Sequence, residues 1–132
     1  MTKIVKTALI VDTSIWIDYL KNNPDIFIIM QPMLEERLIY SAECIFGELL
    51  QGTRSLREKN IIIGYRDCVP KLDEKNIFIE AGIYSGDKRL IEKGIGLIDC
   101  IIICLAKKNN LRIWTLDKKL KDVLDQDLVF KP

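Results

Sequence analysis

Short apolar segments alternate with longer helical patterns along this chain, and this alternation constrains the fold more than any other feature of the sequence. Strands are predicted at residues 8–12, in "RLIYS" up to Ser41, in "LRIWTLD" and in "DLVFK". A further short strand is predicted near Pro70 and "KLDEKN". The alternation predicts a parallel sheet with helices on both faces, whose binding site lies outside the carboxyl ends of the strands.

Helical patterns follow the predicted strands. The predicted helices occupy residues 14–20, 24–36, 42–50, most of 55–94, about 99–110 and a short segment after Asp117. Ser14 is well placed to cap the first of them, Pro32 to bend the second and Gly52 to close the third. The segment that begins near Asp99 is apolar throughout, so its helix is expected to be largely buried.

The length of 132 residues is usual for one compact domain, so a single domain over residues 1–132 is expected. The 20 basic and 19 acidic residues give a formal charge of +1 at pH 7. This net charge does not by itself indicate binding to nucleic acid or to a membrane surface. The first residues lack the apolar core of a secretory signal, and no apolar run approaches the roughly 18 residues that span a bilayer. A cytoplasmic location without membrane contact is therefore expected.

Residue types exclude several kinds of chemistry. The chain has no histidine, which removes Ser-His-Asp and Cys-His catalysis. Its four cysteines lie in apolar segments without CxxC spacing: Cys44, Cys68, Cys100 and Cys104. Buried reduced thiols are therefore expected, not a zinc site or a disulfide framework. Chemistry must come from carboxylates, lysines or a metal ion.

Four acidic residues fall close to the ends of predicted elements. Asp12 ends the first strand, Asp117 follows "RIWTL", Asp99 begins a helix, and Glu48 lies in the helix after the second strand. We expect them to converge at one edge of the sheet. Without a histidine, or a lysine inside any of the four motifs, such carboxylates repel one another unless a divalent cation neutralises them. An all-oxygen site of this kind suits Mg²⁺ or Mn²⁺.

Each acid also has a structural explanation of its own. Taken singly, Asp99 is better explained as an acid at a helix N-terminus, and Asp117 as the cap of the helix that follows it. Glu48 alone could be a solvated helix position, and Asp12 a helix cap or a hydrogen-bonded acid in a turn. The positions of all four together favour a joint role.

Four motifs resemble those of a known family in order and spacing. They are "LIVDTSIWI" at the start, "GELLQG" at residues 47–52, "LIDCIIICLAKKNN" from Leu97 and "IWTLDKKL" from Ile113. The chain resembles the PIN-domain nucleases, and most closely the small toxin ribonucleases called VapC of type II toxin-antitoxin pairs. The resemblance covers nearly the whole chain and implies a three-layer α/β/α sandwich with a mostly parallel sheet of roughly five strands.

The resemblance implies a catalytic quartet of Asp12, Glu48, Asp99 and Asp117. In the family pattern Asp12 and Asp99 would bind Mg²⁺ or Mn²⁺ most directly. Glu48 and Asp117 would bind the ion directly or through water, or would hold a second ion. None of these acids is missing from the chain, so catalytic activity is expected.

Three hydroxyl residues match family positions that line or brace this pocket: Thr13, Ser14 and Thr115. Helix capping explains Ser14 equally well, and strand propensity explains Thr115. The chain departs from the family after the third acid, where Ile103 and Cys104 replace the usual small residues and imply a tighter pocket. After the fourth acid it has Leu120 where the family often has an aromatic residue, a change that concerns packing more than chemistry.

The implied function is metal-dependent endonucleolytic cleavage of RNA by a toxin. The implied partners are RNA, a small VapB-like antitoxin that covers the acidic pocket, and a second copy in a homodimer. Two alternatives keep the fold: an RNA-processing nuclease that is not a toxin, and a catalytically silent partner-binding module. A phosphotransfer or phosphatase domain of another α/β class is less favoured, because Ser14 stands where the common Asp-x-Asp arrangement has its second acid.

Other features have both a structural and a functional explanation. Basic residues near Glu48 and Asp117 could follow an RNA backbone, but solvated faces explain them better. They are Arg54, Arg57, Lys59, Lys118, Lys119 and Lys121. Trp16 and Trp114 could stack on bases, but core packing is favoured. The apolar stretches "IFIIM" at residues 26–30 and "NIIIGY" at residues 60–65 could each be a homodimer face or core.

Overall fold

A computed structural model of the chain describes residues 7–132 and places β1 (Leu9–Val11) at the centre of a parallel sheet. β1 pairs with β2 (Ile39–Tyr40) on one side and with β3 (Arg112–Trp114) on the other, so the strand order is β2-β1-β3. All three residues of β1 are fully buried, as expected for a strand covered on both faces. The expected absence of a secretory signal concerns a segment whose residues 1–6 lie outside the described residues.

The sheet has three strands within residues 7–132, fewer than the roughly five that the resemblance implied, although the parallel α/β class is confirmed. Two further segments lie parallel to its edges but pair through single bridges, Ser41 with Lys71 and Ile113 with Val129. Pro70 precedes the first bridge and has no N–H to extend the ladder, and a 3-10 helix at Gln126–Leu128 precedes the second. The segments near Pro70 and in "DLVFK" therefore border the sheet without forming strands.

Helices connect the strands and cover both faces of the sheet. The α-helices in residues 7–132 are α1 (Thr13–Leu20), α2 (Pro24–Glu35), α3 (Glu43–Gln51), α4 (Leu56–Cys68), α5 (Ile77–Lys88), α6 (Leu97–Lys108) and α7 (Lys118–Val123). A 3-10 helix at Leu90–Lys93 joins α5 to α6. These bounds lie close to the predicted ones, and α2 continues through Pro32. Within residues 7–132 we find no helix with both the length and the apolar character that a membrane crossing requires.

The N-cap of α1 is Asp12, so the prediction that Ser14 caps this helix is wrong. Asp12 has extended backbone angles, and its Oδ1 accepts a hydrogen bond of 2.8 Å from the Thr13 amide. Because β1 ends at Val11, α1 begins at Thr13 and Ser14 falls inside its first turn. Asp12 is therefore both one of the four acids predicted for the site and the N-cap of α1.

The core is built around α6. Its residues 100–106 are all buried, because α5 packs on one side of the helix and β1 and β3 on another. Cys100 and Cys104 belong to this run, whereas Cys44 is half-buried and Cys68 is exposed. The expectation of buried thiols is thus wrong for Cys68, which lies at the end of α4, although all four thiols are free.

The two tryptophans pack in the core, as favoured from the sequence. Trp16 is 1% exposed and contacts the rings of Tyr19, Phe46 and Tyr65. Trp114 is also buried and packs edge-on against Phe130. Neither ring is available to stack on a base in this conformation.

Candidate active site at the carboxyl edge of the sheet

Asp12 lies at the junction of β1 and α1 with 7% of its surface exposed. The ladder between β1 and β3 continues one residue past β1, because the Asp12 amide donates to the Trp114 carbonyl at 2.9 Å. Its Oδ2 accepts from the Thr115 hydroxyl at 2.7 Å and from the Ser14 hydroxyl at 3.3 Å. All its donors are neutral, and no ion pair within residues 7–132 involves it. Among the described residues, its oxygens are therefore held by neutral donors alone.

Thr115 connects Asp12 to the segment that carries Asp117. Its buried hydroxyl donates to Asp12 and accepts from the Asp117 amide at 3.0 Å. Ser14 makes a second link across the same junction, since its hydroxyl accepts from the Leu116 amide at 3.1 Å. These bonds fix the chain after β3 against the start of α1.

Asp117 is exposed and is the N-cap of α7. Its Oδ1 accepts from the amides of Lys119 at 2.9 Å and Leu120 at 3.4 Å. The capping explanation considered for this acid is therefore correct for one of its oxygens. Leu120 is fully buried, so the residue that departs from the family pattern here is part of the core.

Glu48 projects from α3 toward the start of α1. The Thr13 hydroxyl donates to its Oε1 at 2.9 Å, across a sequence separation of 35 residues. Glu48 is exposed, as a solvated helix position would be, but its carboxylate is positioned by another element. The family resemblance placed Thr13 beside the pocket but did not indicate which acid its hydroxyl would bind.

Asp99 is the third residue of α6 and is half-buried. Within the described part of the chain no hydrogen bond reaches its carboxylate. Burial, and after it the negative charges of Asp12, Asp117 and Glu48 in that order, together raise the pKa of Asp99 from its usual 3.8 to about 6. Those three acids are therefore close enough to Asp99 to act on its proton affinity. Ile103, one turn later, is buried in the core.

The donor set at this edge suits a divalent cation in its chemistry. It consists of four carboxylates with hydroxyl groups around them, and no ion pair in residues 7–132 neutralises any of the four. In that same range no three acids lie in positions that already form a metal-binding group. Like charges repel, and Asp12 and Asp117 turn oxygens toward amide and hydroxyl donors instead. The residue types fit Mg²⁺ or Mn²⁺.

A cavity of about 540 Å³ opens beside Glu48 between α1, α3 and α4. Its apolar lining includes Ile17 and Ile61, and its charged lining includes Lys21 and Arg54. The sequence drew attention to Arg54 as a basic residue after Glu48, but it gave no sign of Lys21, which lies at the end of α1. The six basic residues that the sequence singled out are all exposed, as solvated faces require.

A comparison with family models decides the classification. The model of the PIN domain matches residues 9–125. The chain belongs to the PIN domain family. The matched range begins in β1, ends just after α7 and includes all four acids. The family resemblance drawn from the four sequence motifs is thereby confirmed.

Solved structures share the fold of this PIN domain. One is VapBC2 from Rickettsia felis bound to a DNA fragment from their promoter, with 19% identity, a TM-score of 0.65, and coverage of 95% of this chain and 98% of that chain. Another is VapBC-1 from nontypeable Haemophilus influenzae, with 21% identity, a TM-score of 0.58, and coverage of 92% and 98%. A search of curated proteins gave no match. At these identities the likeness concerns the fold.

Proposed function

We propose that this PIN domain is a Mg²⁺- or Mn²⁺-dependent endoribonuclease that acts as the toxin of a VapBC-type pair. The observation that carries the proposal is that hydroxyl groups link three acids from different elements: Thr115 bonds to Asp12 and to the Asp117 amide, and Thr13, the residue after Asp12, donates to Glu48. The charges of these three acids also contribute to the raised pKa of Asp99. PIN domains are in general nucleases that use divalent metals, and the family match covers the elements that bear these acids. The toxin role is supported by the fold shared with the VapBC structures.

We assign the four acids different roles according to how deeply each is buried. Asp12 and Asp99 are the more buried pair and would hold the cation directly, while Glu48 and Asp117 would hold it directly or through water. When bound, the cation supplies charge neutralisation at the phosphodiester and lowers the pKa of water for attack on phosphorus. Thr115 keeps Asp12 oriented, and Thr13 keeps Glu48 oriented.

Residues outside the quartet would bind the substrate backbone. Lys118 and Lys119 follow Asp117 directly and are exposed, so their ammonium groups are available for RNA phosphates. The VapBC structures support a small VapB-like antitoxin as a partner, and we propose that it covers the acids. We also propose that the protein is a homodimer in the cytoplasm.

Purified, partner-free protein tests the nuclease. Wild type is expected to cut RNA endonucleolytically with Mn²⁺ or Mg²⁺ and to lose activity in EDTA, and Asp12→Asn should be inactive. Asp122→Asn is the matched control, because Asp122 is an exposed acid on α7 outside the quartet. The proposal fails if wild type cuts no RNA with either metal, or if Asp12→Asn cuts as well as wild type.

Expression of the chain alone in a bacterial host tests the toxin role separately. Wild type and Asp122→Asn should arrest growth, and Asp12→Asn should not. RNA cleavage in vitro without growth arrest by wild type would favour an RNA-processing nuclease over a toxin. Restoration of growth by a co-expressed small protein that binds the chain would support the antitoxin.

A further inference from the structure

The cavity between α1, α3 and α4 adjoins the acidic cluster through Glu48, which is part of its wall. Thr13 connects this wall to Asp12, because its hydroxyl donates to Glu48 at 2.9 Å and its amide donates to Asp12 at 2.8 Å. The cavity volume of about 540 Å³ lies in the range of small-ligand sites. The cleavage chemistry proposed for the four acids does not use this space.

Apolar side chains from three helices form much of the cavity wall. Leu49 of α3 and Ile62 of α4 are buried, so they belong to the core as well. Ile17 of α1 and Ile61 of α4 are 40% and 42% exposed, so part of each side chain is open to a ligand. Apolar side chains of this kind pack against the faces of a base that has left its stack.

Two cations also line the cavity. Lys21 is the C-cap of α1, and Arg54 lies between α3 and α4; both are exposed. Neither forms an ion pair with another residue of the range 7–132. Glu58 is the other acid of the wall, and its Oε2 accepts from the Arg54 backbone amide at 2.7 Å. The charged groups of Lys21 and Arg54 are therefore available to an anion.

We propose that this cavity receives the base of a nucleotide next to the one that is cleaved at the acids. The inference rests on the proposed function and specifies its substrate as single-stranded RNA with an unstacked base. The base contacts Ile17 and Ile61, and the adjoining phosphates bind Lys21 and Arg54. A base inside a duplex is stacked and paired, so it does not reach such a cavity.

Size and charge favour a nucleotide over a segment of a protein partner. A bound helix or strand needs a groove along its length, whereas this cavity has the volume of a small-ligand site. A nucleotide joins the apolar faces of a base to an anionic phosphate, and the cavity joins apolar walls to two cations. Since Glu48 belongs to both the cavity and the quartet, RNA that lies across the acids also passes the cavity.

Fluorescence anisotropy with two probes tests for a bound base. The probes are a short single-stranded RNA of mixed sequence and a chain of ribose phosphates of the same length without bases. Asp12→Asn is the parent protein, because it leaves the RNA intact. We expect it to bind the RNA about 10-fold more tightly than the abasic chain. Ile61→Glu in this parent should abolish the difference, because it places a carboxylate in the apolar wall.

Leu56→Glu is the matched control for Ile61→Glu. Leu56 is a 68% exposed apolar residue of the same helix that lies outside the cavity, so the change in net charge is identical. This variant should keep the preference for RNA over the abasic chain. Equal effects of the two substitutions would overturn the proposal, because a long-range repulsion would then explain both.

The salt dependence of RNA binding tests the phosphate contact. Arg54→Gln should lower the slope of log Kd against log salt concentration by about 0.7, the value for one phosphate contact on a single strand. Arg57→Gln is its control, since Arg57 is an exposed arginine of α4 outside the cavity and should leave the slope unchanged. Arg54 makes no ion pair in the range 7–132, so this test stands even if Ile61→Glu fails to fold.

The proposal is overturned if the parent protein binds RNA and the abasic chain equally, or binds neither. It is also overturned if Arg54→Gln and Arg57→Gln have the same slope. These measurements use binding alone and are therefore independent of cleavage. A wild type that cuts no RNA would refute the nuclease and leave the cavity site standing, whereas a nuclease indifferent to Ile61 and Arg54 would refute only the cavity site.

Discussion

The negative charge of Asp99 destabilises the folded chain, whereas the proposed catalysis requires it. Its carboxyl group is half-buried among three acids, which together with burial raise its pKa from 3.8 to about 6. Below pH 3.8 both the folded and the unfolded chain carry it protonated, and its titration contributes nothing to the free energy of unfolding. Above pH 6 both carry it ionised, and only the folded chain bears the repulsion. Its contribution to stability therefore decreases as pH rises through this window.

Asp99→Asn removes this charge at nearly constant size. In EDTA at pH 8 we expect the variant to melt higher than wild type by on the order of a few degrees, with a smaller difference at pH 4. RNA cleavage should be lost. Thermal melts followed by circular dichroism at both pH values measure the effect, and Asp122→Asn should show no such pH dependence. An equal difference at the two pH values would contradict the electrostatic explanation.

The residues of the acidic cluster could be proposed from the sequence because Asp12 and Asp117 follow apolar strands, Asp99 begins an apolar helix and Glu48 belongs to a family motif. The hydroxyl bonds could not, because they depend on which chain ends meet in space. Asp12 and Thr115 are 103 residues apart, and the family pattern indicated that Thr115 and Ser14 line or brace the pocket but not which atoms they bind. In the structure both hydroxyls donate to Asp12.

The Thr115 hydroxyl links the segment after β3 to the start of α1 through its hydrogen bonds to Asp12 and Asp117. Thr115→Val keeps the shape but leaves Asp12 Oδ2 without its 2.7 Å donor and the Asp117 amide without its acceptor. We expect a loss of about 1–3 kcal/mol in the free energy of unfolding and about a 10–100-fold loss of RNA cleavage.

Thr115→Ser keeps the hydroxyl and is the control for this change. It should retain most of the cleavage activity, and urea denaturation should place it closer to wild type than Thr115→Val. The role assigned to the hydroxyl is wrong if the serine and valine variants lose cleavage equally.

Elements were predictable to different degrees. The helices have long periodic patterns and caps, and they occur close to the predicted positions. The two missing strands have apolar residues in the right places, but a strand also needs consecutive pairing, and these segments have one bridge each. The exposure of Phe78, Ile79 and Ile83 on α5 was not predicted, because an apolar residue in a sequence carries no sign of whether it lies in the core or in solvent.

As a whole, the molecule has almost balanced charge but concentrates four carboxylates at one edge of its sheet. A cation bound there stabilises the folded chain by mass action, by about 2.7 kcal/mol at 100 times the dissociation constant. We therefore expect Mn²⁺ to raise the melting temperature of wild type and of Asp122→Asn, and EDTA to reverse the rise. Asp99→Asn should respond much less; a shift equal to that of wild type would place the metal elsewhere.

The order of the chain has a consequence for protein synthesis. β1 is the central strand, but both of its neighbours follow it in the sequence, and the second ends at Trp114. A ribosome therefore makes Asp12 early and must continue to residue 117 before the acid has its partners. A nascent chain lacks the assembled acidic cluster until residue 117 is made, while it is attached to a particle made largely of RNA. Translation that stops before Arg112 yields a fragment without β3, Thr115 or Asp117, and such a fragment is harmless under the proposed function.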